Sequence, residues 1–251
     1  MGAHADTSTL DYGEFRRACG LCSLRELCWP MGVEPSNLER LQSMVRHARP
    51  LAAGSYLYRV GDPFTAVYAI REGCIKSYTL DAGGHELVHG FHLRGEPLGF
   101  DAVFPDRHRC NALILETASV CVIPYQDIAR AGVEFHNLLC QLLRLMSREF
   151  SRRPMFAEGF GATQRTARFL MDMRSRLQQP GGPEYEFRLP MSREDISNYL
   201  GITSETLSRL FAKLHRKELI DVDRRRIRLV DPVRLDLIAR GIRLDQKSAC
   251  A

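Results

Sequence analysis

From Pro50 to about Pro124 apolar and polar residues alternate in short runs rich in Val, Ile, Tyr and Leu. Gly61-Asp62, Gly73, Gly83-Gly84 and Gly95-Glu96 interrupt those runs at intervals of 12, 11 and 11 residues. Alternation with period two, punctuated this regularly by turn residues, predicts the strands of a β-roll or jelly roll. Beyond Pro124 the period lengthens. Leu139, Leu143, Met146 and Phe150 recur at steps of four, three and four, a seam of coiled-coil type, although the same spacing also suits a helix packed on its own sheet domain. Arg152-Arg153-Pro154 then predicts a break or kink, Gly159 and Gly161 weaken any helix that follows, and Gln179-Pro180-Gly181-Gly182-Pro183 reads as a loop.

The segment from Met191 to Leu210 predicts two helices around a turn. Ser192 is placed to cap the first helix with Asp195 three residues on, Gly201 supplies the turn, and Thr203 is placed to cap the second helix. On that second helix Leu207, Leu210, Phe211 and Leu214 form one apolar stripe. Ser204, Glu205, Ser208 and Arg209 fall on the opposite face. These side chains include types that read base edges in a major groove: Arg donates twice to guanine, Glu accepts from cytosine, and Ser bonds adaptably. A hairpin is expected next, from Leu219-Ile220-Asp221-Val222 through Arg224-Arg225-Arg226 to Ile227-Arg228-Leu229, as a wing whose arginines, Arg225 among them, meet phosphates.

Charge is distributed in keeping with that reading. The 251 residues carry a formal net charge of +5, yet residues 1–150 hold 15 basic and 17 acidic side chains while residues 151–251 hold 20 and 13. The positive excess thus belongs to the C-terminal part, the electrostatic footprint expected of a module that binds double-stranded DNA. With 45% hydrophobic and 26% charged residues the composition is that of a globular protein, and no apolar run approaches the length of a membrane span. Met1-Gly2-Ala3-His4-Ala5-Asp6 has no basic start leading into an apolar core, so a cytoplasmic protein without membrane association is expected.

Eight cysteines stand at positions 19, 22, 28, 74, 110, 121, 140 and 250. In a reducing cytosol they point to metal or redox chemistry, or to small core residues, rather than to disulfides. Cys19, Cys22 and Cys28 have the spacing C-x2-C-x5-C, which lets three thiolates converge on one centre from a short segment. A fourth ligand must come from elsewhere, and thiolates suit zinc or an iron–sulfur cluster alike. No second close ligand pair of the kind found in structural zinc sites follows. His89 and His92 make a poor pair, because three residues apart on a strand they face opposite sides.

The three cysteines resemble the FNR family of oxygen-responsive regulators, within the superfamily of the cyclic-AMP receptor protein. So do the segments Tyr68 to Tyr78, Gly90-Phe91-His92-Leu93, Gly99-Phe100-Asp101, Leu115 to Pro124 and Glu205-Thr206-Leu207-Ser208-Arg209. The similarity runs from about Cys19 to Leu229. It implies an α+β chain in which a cyclic-nucleotide-binding-like β-roll, a long dimerisation helix and a C-terminal winged helix-turn-helix follow one another. The expected divisions are a cysteine-rich segment at 1–37, the roll at 38–135, the helix and hinge at 136–175, and the winged unit at 176–251. The resemblance also implies a [4Fe-4S] cluster with Cys121 as fourth ligand, Cys110 being the rival, and base reading by Glu205, Ser208 and Arg209. It further implies a homodimer formed through the Leu139 to Phe150 helix while the cluster is intact, half-sites of TTGAT and ATCAA, and contact with RNA polymerase.

This chain departs from the family pattern in two places. Pro154, Gly159 and Gly161 fall where the family helix continues, and the Asp81-Ala82-Gly83-Gly84-His85 turn differs from the usual activating turn. Other readings are a regulator of the same superfamily stabilised by zinc or responding to nitric oxide, or one responding to cyclic AMP. Against the last, Cys110-Asn111 stands where a phosphate-binding Arg-Ser pair is expected, with Arg109 adjacent. An iron–sulfur enzyme is the reading of another class. The radical-type cysteine spacing, a P-loop, a dinucleotide glycine motif and a nucleophile elbow are all missing from the sequence, so no catalytic activity is expected.

Overall fold

The computed structural model describes residues 44–134, 159–178 and 185–242, together with positions 140, 143, 144, 146 and 147. Cys19, Cys22, Cys28, Leu139, Phe150 and Pro154 lie outside the described residues. The chain divides into two compact units, one within residues 1–151 and one within 152–251.

The first unit is an antiparallel roll followed by a helix. Its strands are β1 (Arg46–His47), β2 (Tyr56–Tyr58), β3 (Ala66–Leu80), β4 (Glu86–His92), β5 (Pro97–Leu98) and β6 (Asn111–Pro124), and helix α1 (Tyr125–Glu134) leaves the end of β6. The order is β1-β6-β3-β4, with β2 also against β6 and β5 against β3. Alternate residues of β6, namely Ala112, Ile114, Ala118, Val120 and Val122, join Tyr58, Tyr68, Ile70 and Ile75 in the core. Each large aliphatic chain so enclosed contributes about 1.5–3 kcal/mol, which locks the register because a one-residue slip would turn the whole set outward.

Gly73 corrects one expectation. It does not end a strand: it sits inside the 15-residue β3, at a register shift between Glu72 and Cys74. Its φ is +88°, and a Cβ there would come within 2.6 Å of the Thr117 carbonyl oxygen. The glycine is therefore required by a bulge and by the close approach of β6, which sequence spacing alone does not separate from a turn.

Toward the end of the first unit, Leu143 and Met146 occupy helical positions, Leu143 exposed and Met146 half-buried. Gly159 then has φ +111° and Gly161 is extended at φ −64°, ψ 156°. The backbone is thus not helical at 159–161, as the glycines there predict.

The second unit comprises α2 (Ala162–Leu177), β7 (Glu186–Arg188), α3 (Arg193–Tyr199), α4 (Ser204–Arg216), β8 (Ile220–Asp223), β9 (Arg226–Leu229) and α5 (Pro232–Ala239). The three strands form an antiparallel sheet in the order β7-β9-β8. Phe169, Leu170 and Met173 from α2 are fully buried, as are Leu200, Leu207 and Leu219. With the roll, this winged unit makes the chain α+β, as its pattern of periods indicates.

Candidate nucleic-acid interface

Helix α3 begins at a complete capping box. The Ser192 hydroxyl accepts from the Asp195 backbone N–H at 3.0 Å, and the Asp195 carboxylate accepts from the Ser192 N–H at 3.1 Å. Two backbone donors that a helix start would leave open are satisfied, which is worth about 1 kcal/mol. The turn to α4 passes through Gly201 at φ +59°, a left-handed conformation favouring glycine. Thr203 caps α4 by accepting from the Thr206 N–H at 3.1 Å. Leu207, Leu210, Phe211 and Leu214 are buried along one side of α4, which fixes the helix by its apolar stripe and leaves the other side to solvent.

That other side is a polar face concentrated in the first turn and a half. Ser204, Glu205, Ser208 and Arg209 are all exposed. Arg209 donates from Nη2 to Glu205 Oε1 at 2.6 Å, with the two side chains 77% and 72% exposed. The pair pre-aligns a guanidinium and a carboxylate one helical turn apart while leaving most of their hydrogen-bonding capacity open. Ser208 donates to the Ser204 carbonyl at 2.9 Å, so its oxygen remains available as an acceptor. Ser204 differs from the other three: its hydroxyl is 2.9 Å from that of Ser197, which ties it to α3.

The hairpin of β8 and β9 turns at Arg224-Arg225, with Asp223 opposite Arg226. Arg224 has φ +53°, an uncommon conformation for a side-chain-bearing residue, costing about 1 kcal/mol. Arg225 is exposed, yet its Nη1 donates to the Pro190 carbonyl at 3.0 Å. Its remaining N–H groups are the ones open to a phosphate. Arg226 pairs with Glu186 at 3.2 Å and Arg228 with Asp221 at 3.1 Å. Arg228 also holds the Asp221 carboxyl below the ordinary carboxylate range by hydrogen bonding to it. A strip of cations follows, partly neutralised at its base and least so at its tip. Sequence reasoning missed β7, on which Glu186 sits, and it missed Arg193, whose contacts run to a backbone carbonyl and an aromatic ring distant in sequence.

In the roll the two rival cysteines differ in setting: Cys110 just precedes β6 and is buried, whereas Cys121 lies on β6 and is half-buried. Cys110 belongs to the interior cluster, and its thiol donates to Asp101 Oδ2 at 3.5 Å. Asp101 also accepts from the Arg109 N–H at 2.8 Å and lies 3.4 Å from His108 Nδ1. Burial pushes its carboxyl up, but the hydrogen bonds from His108, Arg109 and Cys110 prevail and hold it below its ordinary value. Cys121 alternates with the interior residues Val120 and Val122, is half-buried, and stands opposite Ala69 of β3 and His47 of β1. His89 and His92 bond separately, to Thr79 at 2.8 Å and Ser77 at 2.9 Å. Among the described residues no three His, Cys, Asp or Glu side chains are grouped to hold a metal ion, and no helix is long and apolar enough to cross a membrane.

A capped helix pair, a polar face at the start of the second helix and a basic β-wing define a DNA-binding transcription regulator. Residues 164–238 match the Crp-like helix-turn-helix domain and residues 48–132 match the cyclic nucleotide-binding domain. The chain is 36% identical over 226 residues to the transcriptional activator protein Anr of Pseudomonas protegens, covering 89% of this chain and 93% of that protein. It is 37% identical over 232 residues to the fumarate and nitrate reduction regulatory protein of Vibrio cholerae, covering 91% and 92%. The FixK2 structure from Bradyrhizobium japonicum superposes with a TM-score of 0.70 at 26% identity, covering 82% of this chain and 99% of that one. The chain belongs to the CRP/FNR family of transcription regulators. These relatives are regulators rather than enzymes.

Proposed function

We propose that this protein is a cytoplasmic regulator of genes used in low oxygen, and that it binds palindromic DNA as a homodimer whose formation depends on a [4Fe-4S] cluster. The observation that carries the proposal is the joint occurrence of the C-x2-C-x5-C segment with a winged helix-turn-helix that exposes Glu205, Ser208 and Arg209. The names of the relatives, which concern fumarate and nitrate reduction in one case, agree with an anaerobic role. Cys19, Cys22, Cys28 and Cys121 would hold the cluster, and the chemistry it supplies when bound is sensitivity to oxygen.

The roll's geometry favours Cys121 over Cys110 as fourth ligand. Cys110 is enclosed and bonded to Asp101, whereas Cys121 is half-buried outside the interior cluster and stands opposite β1, the first strand among the described residues. Leu139, Leu143, Met146 and Phe150 form the apolar seam of the dimer. Each protomer presents α4 to one half-site of the TTGAT/ATCAA type, with Arg209 on the guanine, Glu205 on the cytosine of the same pair and Ser208 beside them. Ser204 braces α4 on α3, and Arg225 meets phosphate. The sensing and DNA-binding parts follow the divisions 1–37, 38–135, 136–175 and 176–251, and RNA polymerase is a partner at the promoter. The test is binding of a TTGAT/ATCAA duplex by anaerobically purified protein before and after air. Tight binding lost together with the visible cluster absorption supports the reading, and affinity that survives complete cluster loss contradicts it.

A further inference from the structure

Arg193, the first residue of α3, lies where three elements meet. Its Nη2 donates to the Arg224 carbonyl at 3.0 Å, at the left-handed residue of the wing turn. Its guanidinium carbon stands 4.0 Å above the centroid of Phe211, which is buried on α4. Nη1 is buried and has no hydrogen-bond partner among the described residues. Burial pulls the pKa down to about 10, with no carboxylate among the described residues to offset it.

We propose that Arg193 is a positioning residue for DNA binding, joining the wing turn to the recognition helix by bonding the Arg224 carbonyl while its guanidinium rests on the Phe211 ring. The inference rests on reading this unit as one that lays helix and wing on the same duplex. Its energetic side is what separates it from a purely structural role. A half-buried cation without a carboxylate, and with an unbonded N–H, costs stability. An apolar chain of similar length would cover Phe211 without that cost, but it would release the Arg224 carbonyl. The base of the wing would still be held by its ladder to β7, the Leu189 N–H to Arg225 carbonyl bond at 2.8 Å, the Arg226–Glu186 pair, the Arg225 bond to Pro190 and the contact of His215 with the Ile220 carbonyl. The turn at Arg224 would nevertheless lose its tie to α3 and Phe211, so the cation at the tip would be held less firmly relative to Glu205 and Arg209. Stability and DNA binding are therefore set against each other at this residue.

The experiment uses the full chain, purified without air, in four forms: parent, Arg193→Met, Arg224→Gly and the double variant. Arg224→Gly removes the cation at the wing tip while keeping a residue that accepts φ +53°. Affinity is measured against salt on the palindromic duplex and on a scrambled one, and melting temperature is measured beside it. Arg193→Met is expected to melt no lower than the parent, to bind about tenfold more weakly, and to flatten the salt dependence by about two units, one wing phosphate for each protomer of a dimer. Arg224→Gly should flatten it equally, and the double variant should be no weaker than Arg193→Met. Arg193→Lys keeps the charge but not the planar fork, and should fail to restore the slope.

Additive losses in the double variant would mean that Arg193 acts on DNA independently of the wing and would overturn the inference. So would full rescue by Lys, or a fall in melting temperature with unchanged binding. A parent protein that binds both duplexes alike would count against base reading by α4, while the wing cycle would still be read on either duplex.

Discussion

Arg209→Ala separates recognition from folding more cleanly than other changes on α4. Arg209 is 77% exposed and among the described residues its close partner is the similarly exposed Glu205 one turn earlier. A surface pair of this kind is worth only about 0.3–0.5 kcal/mol, so the folded state should hardly register the change. On DNA the loss is larger, because a bidentate Arg–guanine contact discriminates by about 1–3 kcal/mol, or roughly 5- to 150-fold per half-site. A symmetric dimer loses it twice. Glu205, left without its partner, still accepts from the cytosine amine, so some preference at that base pair should survive. Selection from duplexes with randomised half-sites, followed by titration of the winners, measures both quantities. The variant should show a much weaker preference where the parent requires guanine, with an unchanged melting temperature. If it selects the same guanine as strongly as the parent, the wrong face of α4 has been set against the groove.

Four further outcomes are expected. Gly73→Ala should destabilise the roll by about 1 kcal/mol for left-handed backbone plus about 1–3 for overpacking against Thr117, read as a shift in denaturant midpoint; an unshifted midpoint would contradict the bulge argument. Ser192→Ala should cost about 1 kcal/mol by loss of the capping box, with Ser192→Asp retaining most of it, on the same assay. Folding depresses the Asp101 carboxyl, so its stabilisation is complete above the ordinary carboxylate value of about 4 and disappears as pH falls through the folded value; Asp101→Asn should be less stable at neutral pH and lose less on acidification, and parallel acid curves would refute this. Sedimentation should show the dimer weakening as air destroys the cluster; an association constant indifferent to cluster loss would sink the oxygen-linked dimer.

The helix-turn-helix was legible because its determinants are local. Ser192 and Asp195 lie three residues apart, Gly201 marks its own turn, and the stripe from Leu207 to Leu214 has the period of the helix it builds. Gly73 was misread as a turn because a bulge depends on the strand opposite, and Thr117 is more than forty residues away in sequence. β7 escaped because Glu186-Phe187-Arg188 is too short to show a period and is a strand only through β9. Arg193 escaped for a similar reason: the Arg224 carbonyl is a backbone group whose position depends on the fold and not on which side chain it carries. Cys121 and Cys110 could be ranked only by resemblance, since the side of the sheet on which Cys121 falls follows from the register of β6 with β3, and the enclosure of Cys110 follows from its contact with Asp101.

The central claim is that four particular thiolates hold the cluster, and iron and acid-labile sulfide analysis of anaerobic protein, read beside its visible spectrum, tests it most directly. About four irons per chain are expected in the parent and in Cys110→Ser, with loss in Cys19→Ser, Cys22→Ser, Cys28→Ser and Cys121→Ser. A full complement of iron and sulfide in Cys121→Ser, or zinc in place of iron in the parent, would contradict it.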